Sequence, residues 1–342
     1  MTVRLSVVIV NWNTRSLLRG CLQSLERALG RCGSQILVVD NASSDGSVSM
    51  VQRDYPWVEV VANDRNLGFA AANNLALTRV NGSYVLFLNP DTEVTGDALG
   101  VMTSLLDGHP RVGLVGTTLL NPDGTLQVSC HRFYSFWHSL LHNRLVDKIA
   151  GSREMLDVHM ADRPVAVDWM TGACLLARKS VLDEVGGFDS AFFVYGEEID
   201  LQFRVRQGGW QVMYVPSRGV VHYGGQSAKH TPLAASLHDY RGRWLFLQKH
   251  YSRLSLYGYL LKTAIGLAFW TLYWGVASAA RLHPRAGYQM RANGRLLAWH
   301  LTDRGTPPIP LMPPKHDGTW AECGNSGGGL GMRPVPVEEG KP

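Results

Sequence analysis

The residues best suited to chemistry in this chain are carboxylates at the ends of apolar runs. Asn89-Pro90-Asp91 directly follows Tyr84-Val85-Leu86-Phe87-Leu88, which reads as a strand buried on both faces. Ligands of open α/β sheets gather at the carboxyl ends of such strands. Asp91 is therefore expected at the rim of a crevice, where a carboxylate can hold a divalent cation against a diphosphate; a bare Asn-Pro-Asp is otherwise a common turn. Asp40 closes a second apolar run, Gln35–Val39, although Asp-Asn-Ala-Ser-Ser-Asp-Gly over 40–46 is also ordinary turn chemistry. Glu197-Glu198 opens a predicted helix, Glu197–Gln207. Acids there suit the helix dipole without any catalysis, and they equally suit a base that takes a proton from a hydroxyl. His222 stands before Gly224-Gly225-Gln226-Ser227 and after a strand predicted over Trp210–Val215. A histidine so placed is either a structural hydrogen-bonding residue or a ligand.

The elements that must hold these groups alternate. Strands are predicted at Leu5–Val10, Gln35–Val39, Val58–Val61, Tyr84–Leu88 and Val112–Val115, with helices over Ser16–Ala28, Ala70–Thr78 and Gly96–Leu106 between them. This is the pattern of a Rossmann-like α/β fold, a mostly parallel sheet with helices on both faces. Residues 129–165 break the rhythm with Cys130-His131-Arg132-Phe133-Tyr134, Trp137-His138 and a helix-like Leu140–Ile149, either an insert that touches a substrate or a surface excursion. Alternation resumes over Val165–Ala177, a helix follows at Lys179–Val185, and Gly186-Gly187-Phe188-Asp189 is a turn.

The order of these segments resembles glycosyltransferase family 2, with the GT-A fold, and within it the rhamnosyltransferase-like members. The resemblance covers roughly residues 3 to 250. It is carried by Val7–Asn13, Val38–Ser47, Asn66–Asn73, Phe87–Asp91, Gly186–Asp189 with Tyr195–Leu201, and Val221–Ser227. It implies a nucleoside-diphosphate sugar as donor, with dTDP- or UDP-linked sugars the class and dTDP-rhamnose the leading guess. Asp40 would accept the imide N–H of the base, with Asn11 lining the same pocket and Asn41 and Asp45 in the following loop. Arg65 would orient the nucleotide. Asn66 and Gly68 precede a helix whose amides favour anions, and Asn66 also reads as a plain cap.

Asn89-Pro90-Asp91 takes the place of the family's Asp-x-Asp motif, so Asn89 would reach the ribose and Asp91 would coordinate Mg2+ or Mn2+ with His222. Glu198 takes the place of the catalytic base of inverting enzymes, with Glu in the usual Asp position, one methylene longer. Glu197 would orient the acceptor or serve as a helix-start acid. Asp168, Trp169, Gly172 and Ala173 would line the sugar and acceptor pocket, although Trp169 is equally suited to a core. Gln226, Ser227 and Arg241 would supply phosphate contacts.

Composition sets the outer limits. The chain has 342 residues, 45% of them hydrophobic and 18% charged, with a net charge of +5. It can bury a core, and its scattered Lys and Arg do not point to nucleic acid. Five cysteines, far apart and never in a Cys-x-x-Cys pair, suit a reducing cytoplasm and argue against a disulfide framework or a zinc site. The organisation predicted is a catalytic domain over 1–250, with a nucleotide half at 1–118 and an acceptor half at 165–235. An apolar, basic helical segment follows at 251–304, then a disordered Pro/Gly-rich tail at 305–342. Thr263–Ala280 carries no charged side chain, and Arg253, Lys262, Arg281 and Arg285 flank it. Spanning a bilayer takes about 20 residues; this segment could span, lie on the surface, or pack within the fold.

The expected place is the cytoplasmic face of the membrane, with a lipid-linked or cell-envelope glycan as acceptor. A homo-oligomer is neither required nor excluded. Two rivals stay open: a non-catalytic nucleotide-sugar binder or membrane scaffold, and a sugar nucleotidyltransferase. The second usually needs a Gly-rich basic loop after the first strand, which Asn11-Trp12-Asn13-Thr14 is not.

Overall fold

The computed structural model describes residues 4–30, 33–133, 158, 161–224 and 232–302. The predicted helix at Leu140–Ile149, Gln226, Ser227 and the tail from Gly305 lie outside the described residues.

The strands β1 (Leu5–Asn11), β2 (Ser34–Asp40), β3 (Glu59–Ala62) and β4 (Tyr84–Leu88) alternate with helices α1 (Arg15–Leu29), α2 (Ser47–Asp54) and α3 (Phe69–Leu77). The chain continues through β5 (Thr92–Val94), α4 (Ala98–Gly108), β6 (Val112–Leu120), β7 (Leu126–Gln127), β8 (Cys130–His131), β9 (Val165–Ala166), β10 (Trp169–Met170) and β11 (Cys174–Arg178). Helices α5 (Lys179–Val185) and α6 (Glu197–Gln207) lead into β12 (Gln211–His222). Three helices end the described chain: α7 (Pro232–His250), α8 (Arg253–Ala279) and α9 (Ala286–Thr302).

The runs Val7–Val10 of β1 and Tyr84–Leu88 of β4 are apolar because both faces are covered. On one face Val7 and Ile9 of β1 and Leu86 and Leu88 of β4 share a core with Leu18, Leu22 and Leu25 of α1 and Met102 and Leu106 of α4. On the other, Val8, Val10, Val85 and Phe87 pack with Ala72 and Ala76 of α3, Val181 of α5 and Leu201 and Val205 of α6. Successive side chains of a strand point to opposite faces, so a run with no polar interruption is what a strand between two helical layers needs.

The sheet runs β3-β2-β1-β4-β11-β6-β12-β5. Its parallel pairings join β1 with β2 and β4, β2 with β3, and β6 with β12. Strand β11 is antiparallel between β4 and β6, and β5 is antiparallel to β12. The chain proceeds outward from β1 through β2 and β3, then returns to the other flank of β1 as β4. That reversal opens a crevice at the carboxyl ends of β1, β2 and β4, where Asn11, Asp40 and Asn89 stand.

Most predicted boundaries hold within a few residues. The main difference is β12, predicted to end at Val215 and observed to continue to His222. Its pairing with β6 shifts register between Val215 and Val220. Pro216 and Gly219 sit inside that irregularity, with Gly219 at φ +92. A bulge tolerates both residues and bends the strand, so the strand resumes beside β5 with His222 opposite Thr92. Helices α2 and α7 lie where none was predicted, and α8 and α9 fill the segment expected to be helical over 251–304.

Helix α7 is a strut between two bodies of structure. Leu237 packs with Leu267 of α8 and Leu296 and Trp299 of α9, while Phe246 packs with Phe192 and with Ile199 of α6. Helix α8 is long and apolar enough to cross a membrane. Leu254, Tyr257, Leu261, Ile265, Phe269, Leu272 and Val276 recur at helical spacing along it and are all exposed.

Candidate active site

The apposition at the centre of the site is between Asp91 and His222. Asp91 precedes β5, His222 ends β12, and the Tyr223 amide donates to the Asp91 carbonyl at 2.9 Å. His222 Nε2 lies 3.4 Å from Asp91 Oδ1, and both side chains are nearly buried. Gln127 determines which hydrogens are present. Its Nε2 donates to Asn121 Oδ1 at 3.0 Å and to the His222 carbonyl at 3.4 Å, so its Oε1 is the acceptor that meets His222 Nδ1 at 2.6 Å. As a neutral imidazole, His222 then carries its proton on Nδ1 and turns the Nε2 lone pair toward a carboxylate. Two acceptors facing each other fit a shared cation, and a histidine ligand held by a hydrogen bond at its other nitrogen is the usual arrangement. Among the described residues no group of three or more His, Cys, Asp or Glu side chains gathers for a metal. A cation here would have two protein ligands and room for phosphate oxygens, as Mg2+ commonly has.

The second part of the site is the turn before α6. Tyr195 has φ +67 and Gly196 φ +92, and the Gly196 amide donates to Glu198 Oε2 at 3.0 Å. Burial pushes the Glu198 carboxyl up, against the Gly196 amide, which favours its charged form. Glu197 is buried, and its Oε2 has no hydrogen-bond partner among the described residues. Burial, and then the neighbouring Glu198 charge, push it well above the usual carboxylate range. The Tyr195 phenol is pushed up to about 12, by burial first and then by Asp239, Glu197, Glu198 and Asp91. Asp91 and the two glutamates thus act on one phenol.

Residues 172–173 join the two parts. The Ala173 carbonyl accepts the Asn89 amide at 2.9 Å. A Cβ at Gly172 would lie 3.3 Å from Glu198 Cβ, tighter than ordinary contact. Gln202 of α6 fixes this approach, accepting from the Met170 amide at 2.8 Å and donating to the Met170 and Glu198 carbonyls at 2.7 and 2.9 Å. Gly172 and Ala173 therefore lie between Glu198 and the Asn89–Asp91 turn.

The other candidates of that segment have partners of their own. Asp168 pairs with Arg206 through Oδ1 and accepts the Phe133 amide at Oδ2. Trp169 stacks on His131 at 4.2 Å and donates its indole N–H to the Arg132 carbonyl. One face of that ring is covered by protein.

In the nucleotide half, Asn11 and Asp40 are buried side by side in the β1–β2 register. Asn11 Nδ2 donates to Asp40 Oδ2 at 2.7 Å, and the Ser43 amide donates to Oδ1 at 2.8 Å. A carboxylate has about four acceptor positions, so Asp40 keeps capacity for a further donor. Asn41 accepts from Asn63 and donates to the Gly68 carbonyl, binding the loop before α3. Asp45 accepts the Arg15 and Ser47 amides and ties the starts of α1 and α2 together. Asn66 accepts the Gly68 amide, and Arg65 is exposed.

Gly68 was expected to approach a ligand, and the structure gives it a protein neighbour. A Cβ there would lie 2.7 Å from the Phe193 ring, and the Phe69 amide, the first of α3, donates to the Phe193 carbonyl at 2.6 Å. Arg241 reaches the Ala191 carbonyl at 3.0 Å from α7. Both hold the loop that leads to Tyr195.

Sequence reasoning gave no role to Gln127, Tyr195 or Gln202, and it read the buried Asp200 as an orienting group or a helix-start acid. Asp200 is hydrogen-bonded to Arg204, Lys249 and His250 at 2.7, 2.8 and 2.7 Å and so locks α6 to α7. Burial pushes its carboxyl up, but His250, Lys249 and Arg204 together hold it down at about 2. Cys21, Cys130 and Cys174 are unpaired, and burial pushes each thiol up to about 12, so none is a ready nucleophile.

Comparison with known proteins shows the family. Residues 6–185 match the family described as Glycosyl transferase family 2. The N-acetylglucosaminyl-diphospho-decaprenol L-rhamnosyltransferase of Mycobacterium tuberculosis is 29% identical over 270 residues, 74% of this chain and 86% of that protein. Rhamnosyltransferase WbbL of Escherichia coli is 28% identical over 164 residues, 46% of this chain and 61% of that protein. Among solved structures, a mannosyltransferase from Pyrobaculum calidifontis in complex with GDP-mannose and Mn2+ superposes with a TM-score of 0.55 at 17% identity. It covers 88% of this chain and 87% of its own, which is a likeness of fold.

Proposed function

The chain belongs to glycosyl transferase family 2, and on that premise we propose that it moves rhamnose from dTDP-rhamnose to a hydroxyl of a lipid-linked or cell-envelope glycan, with inversion at the anomeric carbon. The transfer of a sugar to a glycan or lipid-linked acceptor follows from the family and from rhamnosyltransferase relatives. The donor and the stereochemistry are our reading. The single observation that carries it is the pair of facing acceptors, Asp91 Oδ1 and His222 Nε2, joined to Glu198 through residues 172–173.

In this reading the base lies near Asp40 and Asn11, the ribose near Asn89, and the diphosphate between the strand ends and the 195–198 turn. Arg65 stands at the crevice mouth and Arg241 behind the turn as candidate contacts for the donor and its phosphates. Glu198, held at Oε2 by the Gly196 amide, takes the acceptor proton as that oxygen forms its bond to the anomeric carbon. The bond from the anomeric carbon to the diphosphate breaks on the opposite face, and its electron pair leaves with the nucleoside diphosphate. A divalent cation held by Asp91 and His222 would neutralise charge on that leaving group. Glu197, raised by burial, keeps its proton to higher pH than a free acid and can donate a hydrogen bond to the acceptor. Placement at the cytoplasmic face of a membrane is supported by the exposed apolar stripe on α8 and by a relative named for a decaprenol-linked acceptor.

The test is a donor screen on the whole chain. dTDP- and UDP-sugars are offered with Mg2+ or Mn2+ and a polyprenyl-diphosphate glycan, and the product anomer is read by NMR. Turnover of dTDP-rhamnose with inversion is expected. Binding of nucleotide sugars with neither transfer nor slow hydrolysis would favour a non-catalytic binder.

A further inference from the structure

Helix α7 meets the turn before α6 backbone to backbone. A Cβ at Gly242 would lie 2.8 Å from the Tyr195 carbonyl carbon and 3.4 Å from the Gly196 nitrogen, closer still to the Tyr195 oxygen. The contact is mutual: a Cβ at Gly196 would lie 3.1 Å from Gly242 Cα. Glycine inside a helix is less favourable than alanine, so Gly242 needs a compensating contact, and this approach is it. No other residue type could occupy position 242 without moving the helix or the turn by about 1 Å. Both partners are otherwise restrained. Helix α7 is fixed to α6 by Lys249 and His250 on Asp200 and by Phe246 in the Phe192–Ile199 cluster. Tyr195 holds a left-handed conformation that side-chain-bearing residues seldom adopt.

We infer that Gly242 is a positioning residue for the reaction: it lets α7 set the Tyr195–Gly196 turn, and through the Gly196 amide it fixes the Glu198 carboxylate. The inference rests on the reading of Glu198 as base. The sequence carries no motif around Gly242, and the function lies in an atom the residue lacks. Helix α7 also bears the α8–α9 hairpin through Leu237, so the surface offered to a membrane and the carboxylate offered to the acceptor share one rigid support.

Gly242→Ala in the whole chain tests this, alone and combined with Glu198→Gln. A displacement of about 1 Å at a reacting group costs on the order of 100-fold, so kcat should fall by about that factor with the donor KM unchanged. The acid limb of kcat should move to higher pH, because a carboxylate that loses an amide donor holds its proton more tightly. The other groups acting on Glu198 are Glu197 and Tyr195 beside it and Asp239 and Arg243 on α7, and the substitution leaves their charges in place. Added to Glu198→Gln, Gly242→Ala should cause no further loss.

A parental kcat, a limb that stays or moves down, or an additive loss in the Glu198→Gln background would overturn the inference. Parental turnover by Glu198→Gln alone would instead remove the base assignment. If Gly242→Ala shows no cooperative thermal transition, Phe246→Leu replaces it, loosening α7 without adding an atom at the turn. Its acid limb should move upward too, and an unmoved limb there has the same overturning force.

Discussion

His222 Nε2 and Asp91 Oδ1 face each other across 3.4 Å, and with a neutral imidazole the Gln127 Oε1 on His222 Nδ1 leaves them as two acceptors. Removing that acceptor frees the imidazole to place its proton on Nε2 and donate to Asp91, which closes the site to a cation. Gln127→Leu should therefore weaken Mn2+ binding, measured calorimetrically with saturating nucleoside diphosphate, by about 10- to 100-fold. Gln127→Glu keeps the acceptor and should lose far less. Equal Mn2+ affinity in Gln127→Leu and the parent would mean that His222 is structural.

Glu198→Gln removes the proposed proton acceptor and leaves shape and volume nearly unchanged. Transfer should fall by about 100- to 10,000-fold, while the nucleoside diphosphate binds as before. In the parent, burial lifts the Glu198 carboxyl, so the acid limb of kcat should lie above the range of a free glutamate. A limb at or below that range would leave another group as the base.

Asp200 ties α6, which carries Glu198, to α7, and its acid range can be assigned. Its folded value, about 2, lies below the ordinary 3.8. The unfolded chain therefore takes up its proton first as pH falls, and the stability Asp200 supplies is complete above about pH 4 and lost toward pH 2. Two units correspond to roughly 2–3 kcal/mol. Asp200→Asn should lower the melting temperature at pH 7 and flatten its fall between pH 4 and 2. Parallel melting curves for the variant and the parent across that range would contradict this assignment.

The parts of the site that follow from strand ends were legible in the sequence. An apolar run followed by Asn89-Pro90-Asp91 gives both the strand and where its last side chain emerges. Asn11 and Asp40 follow in the same way, because parallel neighbours in register end together. What escaped depends on contacts between distant residues. The bulge that carries β12 past Pro216 to His222 needs β6 as its template. Gln127 matters only because two strands bring it against His222, 95 positions away. Gly68 shows the same limit: a glycine before a helix reads as a place of close approach, and the protein neighbour there is Phe193. A sequence shows that backbone comes close to something there, and the fold decides to what.

The α8–α9 hairpin offers the last prediction. Leu254, Tyr257, Leu261, Ile265, Phe269, Leu272 and Val276 form one exposed stripe, while Leu260, Leu267 and Ala277 of the same helix are buried. A helix with one covered face and one apolar face is suited to lying in the headgroup region more than to crossing the bilayer alone. Arg253, Lys262, Arg281 and Arg285 add attraction to anionic lipid, worth about 1 kcal/mol for each basic group near the surface. The whole chain should cosediment with phosphatidylglycerol vesicles and be released in part by high salt. Leu261→Asp with Phe269→Asp should abolish sedimentation while leaving dTDP-sugar hydrolysis in solution unchanged, because both side chains are exposed on α8. Vesicle binding that survives both substitutions would place the membrane contact elsewhere.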